Sequence, residues 1–107
     1  MRRGDLVTVI VPGAYGKPRP ALVVQSDLFQ ALPSVTVVPI TSERHSAPLF
    51  RIDLEPDAQN GLAKPSQAMV DKLQTVPREK VGQVFGHVHQ EKMLEIVRSL
   101  SLFLGIA

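Results

Sequence analysis

The chain has 107 residues, a formal net charge of +2 and 44% hydrophobic residues, which fits one folded domain over residues 1–107 and excludes a mainly disordered chain. The absence of cysteine excludes disulfides and thiolate metal sites, and the charge is far below that of a histone-like polycation, so an anion-binding surface must be local. The apolar run near the N-terminus is too short for a signal peptide or a membrane span, so we expect a cytoplasmic protein without membrane contact.

The first half of the chain predicts three strands. Residues 6–11 form a β-branched apolar run closed by Pro12 and Gly13. Residues 21–25 have hardly any polar alternation, which predicts a strand covered on both faces. After a short turn capped by Ser26, residues 35–38 form the third strand, and Pro39 places its end at a sheet edge or bulge.

The second half predicts three more strands and a helix. Residues 50–55 alternate apolar and charged side chains, as in a half-exposed antiparallel strand. Residues 67–73 and 81–88 are two further strands. From Gln90 to Leu104 the apolar residues recur at helical spacing, and a glycine follows the end. The fold class is therefore mainly β, a small curled antiparallel sheet or barrel with a C-terminal helix.

Arg19 is the first candidate for chemistry, because prolines on both sides stiffen its backbone at the mouth of a buried strand. A guanidinium held in this way can grip a phosphate and stabilise charge that develops on it. Thr41 and Ser42 leave the third strand together and can bind phosphate oxygens or orient a ribose hydroxyl. The alternatives are a surface arginine paired with a carboxylate and hydroxyls that bond the nearby backbone.

Side chains elsewhere offer weaker signals. Gln67, Met69 and Asp71 share one face of a predicted strand, where Asp71 can orient Arg19 or accept from a base edge. The loop residue Tyr15 can stack on a base or anchor its own loop.

Three histidines complete the candidates: His45, His87 and His89. If extended, the last two share a face, and the first is a conceivable third metal ligand. A pair of histidines can also act as acid and base if both lie near a phosphate. No carboxylate cluster accompanies them in the sequence, so we expect neither a metal nor a cofactor.

An ordered set of segments resembles the MazF/PemK family of toxin endoribonucleases (mRNA interferases) of type II toxin–antitoxin systems. The resemblance covers nearly the whole chain. The segments are, in order, RGDLV at 3–7, GKPRPALVV at 16–24, VVPITS at 37–42, NGL at 60–62, residues 66–73, Gly86 and LFLG at 102–105.

The resemblance implies an SH3-like barrel with helices, which works as a homodimer whose grooves bind single-stranded RNA. It implies metal-independent cleavage at short preferred sequences, leaving a 2′,3′-cyclic phosphate and a 5′-hydroxyl, and neutralisation by a cognate antitoxin. Arg19 matches the family's catalytic arginine, and Thr41 matches its catalytic hydroxyl residue. The expected substrate contacts are Tyr15, Lys17, Ser42, Ser66, Gln67 and Asp71.

Two departures keep alternatives open. Some relatives carry an arginine where this chain has Met69, and its absence removes a candidate acid. The groups that transfer the protons are therefore left open. A relative that binds RNA without cutting it is a further alternative. The gyrase poison CcdB shares the fold and a Val-Gln-Ser-Asp stretch like residues 24–27, but this chain lacks the tryptophan of its tail. The alternative function is a CcdB-like gyrase poison without nuclease activity.

Overall fold

The computed structural model describes residues 1–11 and 15–106. Within these residues the chain forms seven strands and one α-helix: β1 (Asp5–Val9), β2 (Arg19–Val23), β3 (Ser34–Thr41), β4 (Arg51–Leu54), β5 (Ser66–Met69), β6 (Gln74–Pro77), β7 (Val81–His87) and α1 (Gln90–Leu104). Short 3₁₀ turns occupy Asp27–Phe29, Val70–Lys72 and Arg78–Lys80. Pro12 and Gly13, predicted to close the first strand, lie outside the described residues. Across the described ranges, no helix has both the length and the apolar character to cross a bilayer.

The strands pair antiparallel in the order β4-β5-β3-β2-β1-β7, and β6 also pairs with β3. The long strand β3 pairs with three other strands. Its first half pairs with β6 at Ser34 to Val37, its middle pairs with β2, and its last residues, Ile40 and Thr41, pair with β5. Because the partners change along one strand, the sheet bends at β3. The antiparallel fold with a C-terminal helix is thus confirmed.

Both faces of the central strands are buried, which explains the missing polar alternation. Leu22 belongs to one apolar cluster, with the inner faces of β4 and β5 and with α1. Ala21 and Val23 belong to a second cluster on the opposite face. The same division holds in β1 and β3, so the prediction of a strand covered on both sides is confirmed.

Helix α1 has the predicted bounds and buries Met93 and Ile96 against the first cluster. It ends at Gly105, whose positive φ of 74° allows a Schellman cap. In that cap the Gly105 N–H donates to the Leu102 carbonyl (3.2 Å), and the Ile106 N–H donates to the Ser101 carbonyl (2.9 Å).

Several predicted strand bounds are wrong. The first strand ends at Val9 rather than at residue 11, and β3 continues past Pro39 to Thr41 because β5 supplies a new partner there. The strand predicted over residues 67–73 ends at Met69, where the Val70–Lys72 turn begins. Strand β6 was not predicted, since its four residues include one buried apolar side chain, Val76.

Candidate active site

A groove opens where β2 and β3 separate. The final pair between these strands is Ala21 with Pro39, while the start of β2 stays attached to β1 and the end of β3 to β5. Pro20 and Pro39 have no N–H with which to extend the ladder. The opening has a volume of about 660 Å³ and is called here the Arg19 groove.

Cations, hydroxyls and one amide provide the polar lining of the Arg19 groove. Its charged side chains are Arg19, Lys64 and Lys72, and among the described residues that line it there is no carboxylate and no histidine. The other polar side chains are Thr41, Ser42, Ser66 and Gln74, and the larger apolar ones are Val9, Val11, Ile40, Leu62 and Met69. A groove with three positive charges, hydroxyl donors and an apolar wall suits a ligand that carries both phosphates and flat rings.

Arg19 is the first residue of β2, and its backbone pairs with Val9 of β1. Its side chain is exposed, and no described residue forms an ion pair or a side-chain hydrogen bond with it. The alternative of a surface arginine occupied by a carboxylate therefore finds no partner in the described part of the chain. The five guanidinium donors are available to a ligand.

Thr41 ends β3, and its hydroxyl oxygen accepts a hydrogen bond from the Glu43 backbone N–H at 3.0 Å. This bond caps the turn after the strand, which is the commoner role of such a hydroxyl. It leaves the hydroxyl proton unused, so Thr41 can still donate to a phosphate oxygen in the groove. Ser42 follows on the exposed turn and also lines the groove.

The opposite wall is shaped by a buried asparagine. Asn60 accepts hydrogen bonds from the Leu62 and Asp57 backbone N–H groups at 3.0 and 3.1 Å, and its amide donates to the Glu55 carbonyl at 2.8 Å. Ser66 donates to the Lys64 carbonyl at 2.8 Å. These bonds fold the loop between β4 and β5 so that Leu62 and Lys64 face the groove.

Four of the six predicted substrate contacts lie outside the groove lining, and two of these, Gln67 and Asp71, are engaged within the protein. Gln67 is buried and bonded within the protein, and the Asp71 carboxylate is 3.2 Å from the Arg51 guanidinium rather than beside Arg19. The prediction that Gln67, Met69 and Asp71 share a strand face is wrong, because the chain leaves the strand after Met69.

Tyr15 and Lys17 lie in the loop that leads to Arg19, beyond the groove lining. Tyr15 has a φ of 52° and is 97% exposed, so it does not anchor its own loop by packing. Its ring is free to meet a ligand that extends from the groove.

The histidines are occupied elsewhere or lie away from the groove. His87 Nδ1 is 2.8 Å from the buried Asp5 carboxylate, and His89 Nε2 is 3.4 Å from Asp57. Within residues 1–11 and 15–106, no three metal-binding side chains come together. Because no histidine lines the Arg19 groove, the geometry offers no histidine acid–base pair there.

The structure therefore brings together four of the predicted residues: Arg19, Thr41, Ser42 and Ser66. Sequence reasoning missed Lys64, Lys72 and Gln74, which reach the groove from the loop between β4 and β5, from the Val70–Lys72 turn and from the start of β6. Lys64 precedes a proline and Lys72 lies in a 3₁₀ turn, and neither setting is a local signal of a binding role. Only the strand order reveals their position.

The described residues define a class of protein with a small bent antiparallel sheet and a C-terminal helix, and in this chain a cation-lined groove opens in the sheet. Solved structures with a similar fold include the Mycobacterium tuberculosis toxin MazF-mt6, which is 22% identical with a TM-score of 0.83 over 96% of this chain and 98% of that one. They also include an endoribonuclease in complex with its cognate antitoxin from a mycobacterial species (21% identity, TM-score 0.83, 100% and 97% coverage). At these identities the likeness concerns the fold.

The sequence identifies the family. The chain belongs to the PemK-like, MazF-like toxins of type II toxin–antitoxin systems, whose family model matches residues 2–104. It is 48% identical, over 100% of its length and 99% of the relative's, to a protein named "Probable endoribonuclease MazF" from Mycolicibacterium smegmatis. The family resemblance is thus confirmed, and these relatives do not favour the CcdB-like alternative.

Proposed function

We propose that this chain is a toxin endoribonuclease that binds single-stranded RNA in the Arg19 groove and cuts it at short preferred sequences. The observation that carries the proposal is the meeting of Arg19 with Thr41 in a groove lined by three cations and no described carboxylate. Membership of a toxin family and 48% identity to a probable endoribonuclease support it.

The proposed reaction is attack of a ribose 2′-oxygen on the adjacent phosphorus. The new P–O2′ bond forms, the P–O5′ bond breaks, and the products are a 2′,3′-cyclic phosphate and a 5′-hydroxyl. Arg19 stabilises the charge on the non-bridging oxygens of the phosphorane, and Thr41 donates a further hydrogen bond to them. Arg19 serves no proton transfer, because a guanidinium stays protonated at every working pH.

Protons therefore pass between the RNA and water in this scheme. Water takes the proton of the 2′-hydroxyl and returns one to the 5′-oxygen. The guanidinium supplies the positive charge that the phosphorane requires, so we propose that the reaction proceeds without a metal ion. Substrate contacts by Lys17, Ser42, Ser66 and Tyr15 hold the strand, and Lys64 and Lys72 join them.

The test is cleavage of an unstructured RNA by the purified chain in EDTA, with analysis of the new ends. We expect 2′,3′-cyclic phosphate and 5′-hydroxyl termini, and a loss of about 100- to 1,000-fold in kcat for Arg19→Ala. Lys80→Ala is the matched control, because Lys80 is exposed outside the groove. Intact RNA with the wild-type chain, or full activity of Arg19→Ala, would refute the proposal.

We also propose that the chain works as a homodimer. Apolar side chains at the end of α1 are half exposed or more: Leu102, Phe103, Leu104 and Ile106. Light scattering at micromolar concentration should give twice the chain mass, and Phe103→Glu should halve it by placing a charge in an apolar contact. Leu28→Glu, at an exposed leucine on the Asp27–Phe29 turn, is the control. A monomeric wild type would count against the dimer.

A cognate antitoxin is the proposed protein partner. Two of the similar solved structures are described as complexes, one with a cognate antitoxin and one as MazE-MazF from Deinococcus radiodurans. The cations and apolar wall of the Arg19 groove fit an acidic, apolar segment of such a partner. A protein that co-purifies with this chain from its host should compete with RNA for the groove, and unchanged RNA binding in its presence would contradict the proposal.

A further inference from the structure

Gln67 of β5 has a buried side chain that is fully engaged within the protein. Its amide nitrogen donates to the His45 carbonyl at 2.8 Å and to Asp53 Oδ1 at 2.9 Å, and its amide oxygen accepts from the His45 backbone N–H at 2.9 Å. Both amide protons are thus used, and the oxygen has a backbone donor. Little of this side chain remains available for RNA.

The bonds of Gln67 close the turn that follows Thr41. The backbone of Gln67 is the register partner of Thr41 in the β3–β5 pair, while its side chain binds both backbone polar groups of His45. Residues 42–44 are exposed between these two anchors. Inside the same turn, the Glu43 N–H donates to the Thr41 hydroxyl oxygen.

Asp53 fixes the orientation of the Gln67 amide. The two residues are register partners in the β4–β5 pair, and a carboxylate can only accept, so the amide nitrogen must face it. That orientation presents the amide oxygen and the second N–H to the correct groups of His45. One buried amide thereby links three segments of the chain at the floor of the turn.

We infer that Gln67 is a positioning residue, which holds the Thr41 hydroxyl in its place in the Arg19 groove and makes no contact with RNA. The inference rests on the proposed endoribonuclease function and deepens it. When the Gln67 bonds are lost, the turn is free to move, and displacement of a reacting group by about 1 Å can cost roughly 100-fold in rate. The loss falls mainly on kcat, because the cations that bind phosphates are untouched and Ser42 is the one proposed substrate contact within the turn.

The experiment is a double-mutant cycle between Gln67→Glu and Thr41→Val, read as kcat and KM for RNA cleavage. The glutamate keeps the side-chain shape but cannot donate to His45 or to Asp53. Alone, it should lower kcat roughly 10- to 100-fold with KM changed less than about threefold. In the Thr41→Val background it should cost less than about threefold, because the hydroxyl it positions is gone.

A role in folding alone predicts a different result, since a smaller folded fraction lowers activity equally with and without the Thr41 hydroxyl. Equal losses in both backgrounds, or full activity of Gln67→Glu, would therefore overturn the inference while leaving the nuclease proposal intact. A wild-type chain that cuts no RNA would overturn both.

Asp53→Ala tests the inference if Gln67→Glu folds poorly, and Gln83→Glu is the control. Asp53→Ala removes only the group that orients the amide, at an exposed position of β4, and should lower kcat about 3- to 10-fold, again only while Thr41 is present. Full activity of that variant would count against the inference. Gln83→Glu makes the same chemical change on an exposed part of β7, outside the groove lining, and should leave kcat unchanged.

Discussion

The salt dependence of RNA binding should report how many groove cations contact phosphates. Arg19, Lys64 and Lys72 line the groove. With roughly 0.7 counterion released per phosphate contact on a single strand, the three groove cations by themselves give a slope of about −2.1 for log K against log salt, and a phosphate contact by Lys17 outside the groove would add about −0.7 to the wild-type chain and to each groove variant alike. Raising the salt from about 50 to 200 mM should then weaken binding roughly 18-fold.

Removing one groove cation should make the slope of log K against log salt less steep by a predictable amount. Lys72→Ala should reduce the slope to about −1.4, so the same increase in salt weakens binding roughly sevenfold. Lys80→Ala, outside the groove, should keep the wild-type slope. The assay is fluorescence anisotropy with a 2′-O-methyl RNA, which binds but offers no 2′-hydroxyl to react. A slope near zero for the wild-type chain, or equal slopes for Lys72→Ala and wild type, would refute the assignment of the groove to phosphates.

Four further outcomes are expected. Asn60→Ala removes three hydrogen bonds of a buried side chain and should lower the free energy of unfolding by about 2–4 kcal/mol in urea; a loss below about 0.5 kcal/mol would contradict that role. Gln74→Glu should change which bases flank the cleavage sites mapped by sequencing of 5′-hydroxyl ends, because Gln74 has the one side-chain amide in the described groove lining, while Gln83→Glu should leave the site pattern unchanged. The pH–rate profile should lack the bell shape of a histidine acid–base pair between about pH 5 and 8, and a bell-shaped profile would count against solvent proton transfer. The hydrogen bond from the Arg3 backbone N–H lowers the pKa of Asp27 below its ordinary 3.8, so the stabilising effect of Asp27 is present above that value and lost as the pH falls through the lowered pKa; NMR titration of its carboxyl would test the direction.

Local pattern was enough to predict the parts of the fold that rest on strong periodicity. The helix bounds followed from apolar spacing and a terminal glycine, and the two-sided strand β2 followed from the apolar run before Gln25. Strand β6 escaped prediction because its pairing with β3, rather than its own composition, makes it a strand. The turn at Val70–Lys72 interrupts a segment that reads as one strand, since its apolar residues serve the core in either conformation.

The residues of the candidate site likewise include some that the local sequence marks and others that it does not. Arg19 and Thr41 stood out because local chemistry marks them: prolines around one and a strand end at the other. Lys64 and Lys72 did not, because their place in the groove depends on the order β4-β5-β3, which is a property of the whole sheet. Gln67 was among the expected substrate contacts, whereas its side chain is buried and its amide bonds the backbone of His45.

The position of the groove follows from an unfinished strand pair. Strands β2 and β3 pair as far as Ala21 with Pro39, and the same register continued by two residues would set Arg19 opposite Thr41. Pro20 and Pro39 end the ladder instead, because neither has an N–H to donate. The two strand ends stay fixed by their other neighbours, so the residues that would have been partners face a gap that a phosphate can occupy. A proline pair therefore provides the opening, and it provides the rigidity that the role proposed for Arg19, stabilising a transition state with little reorganisation, requires.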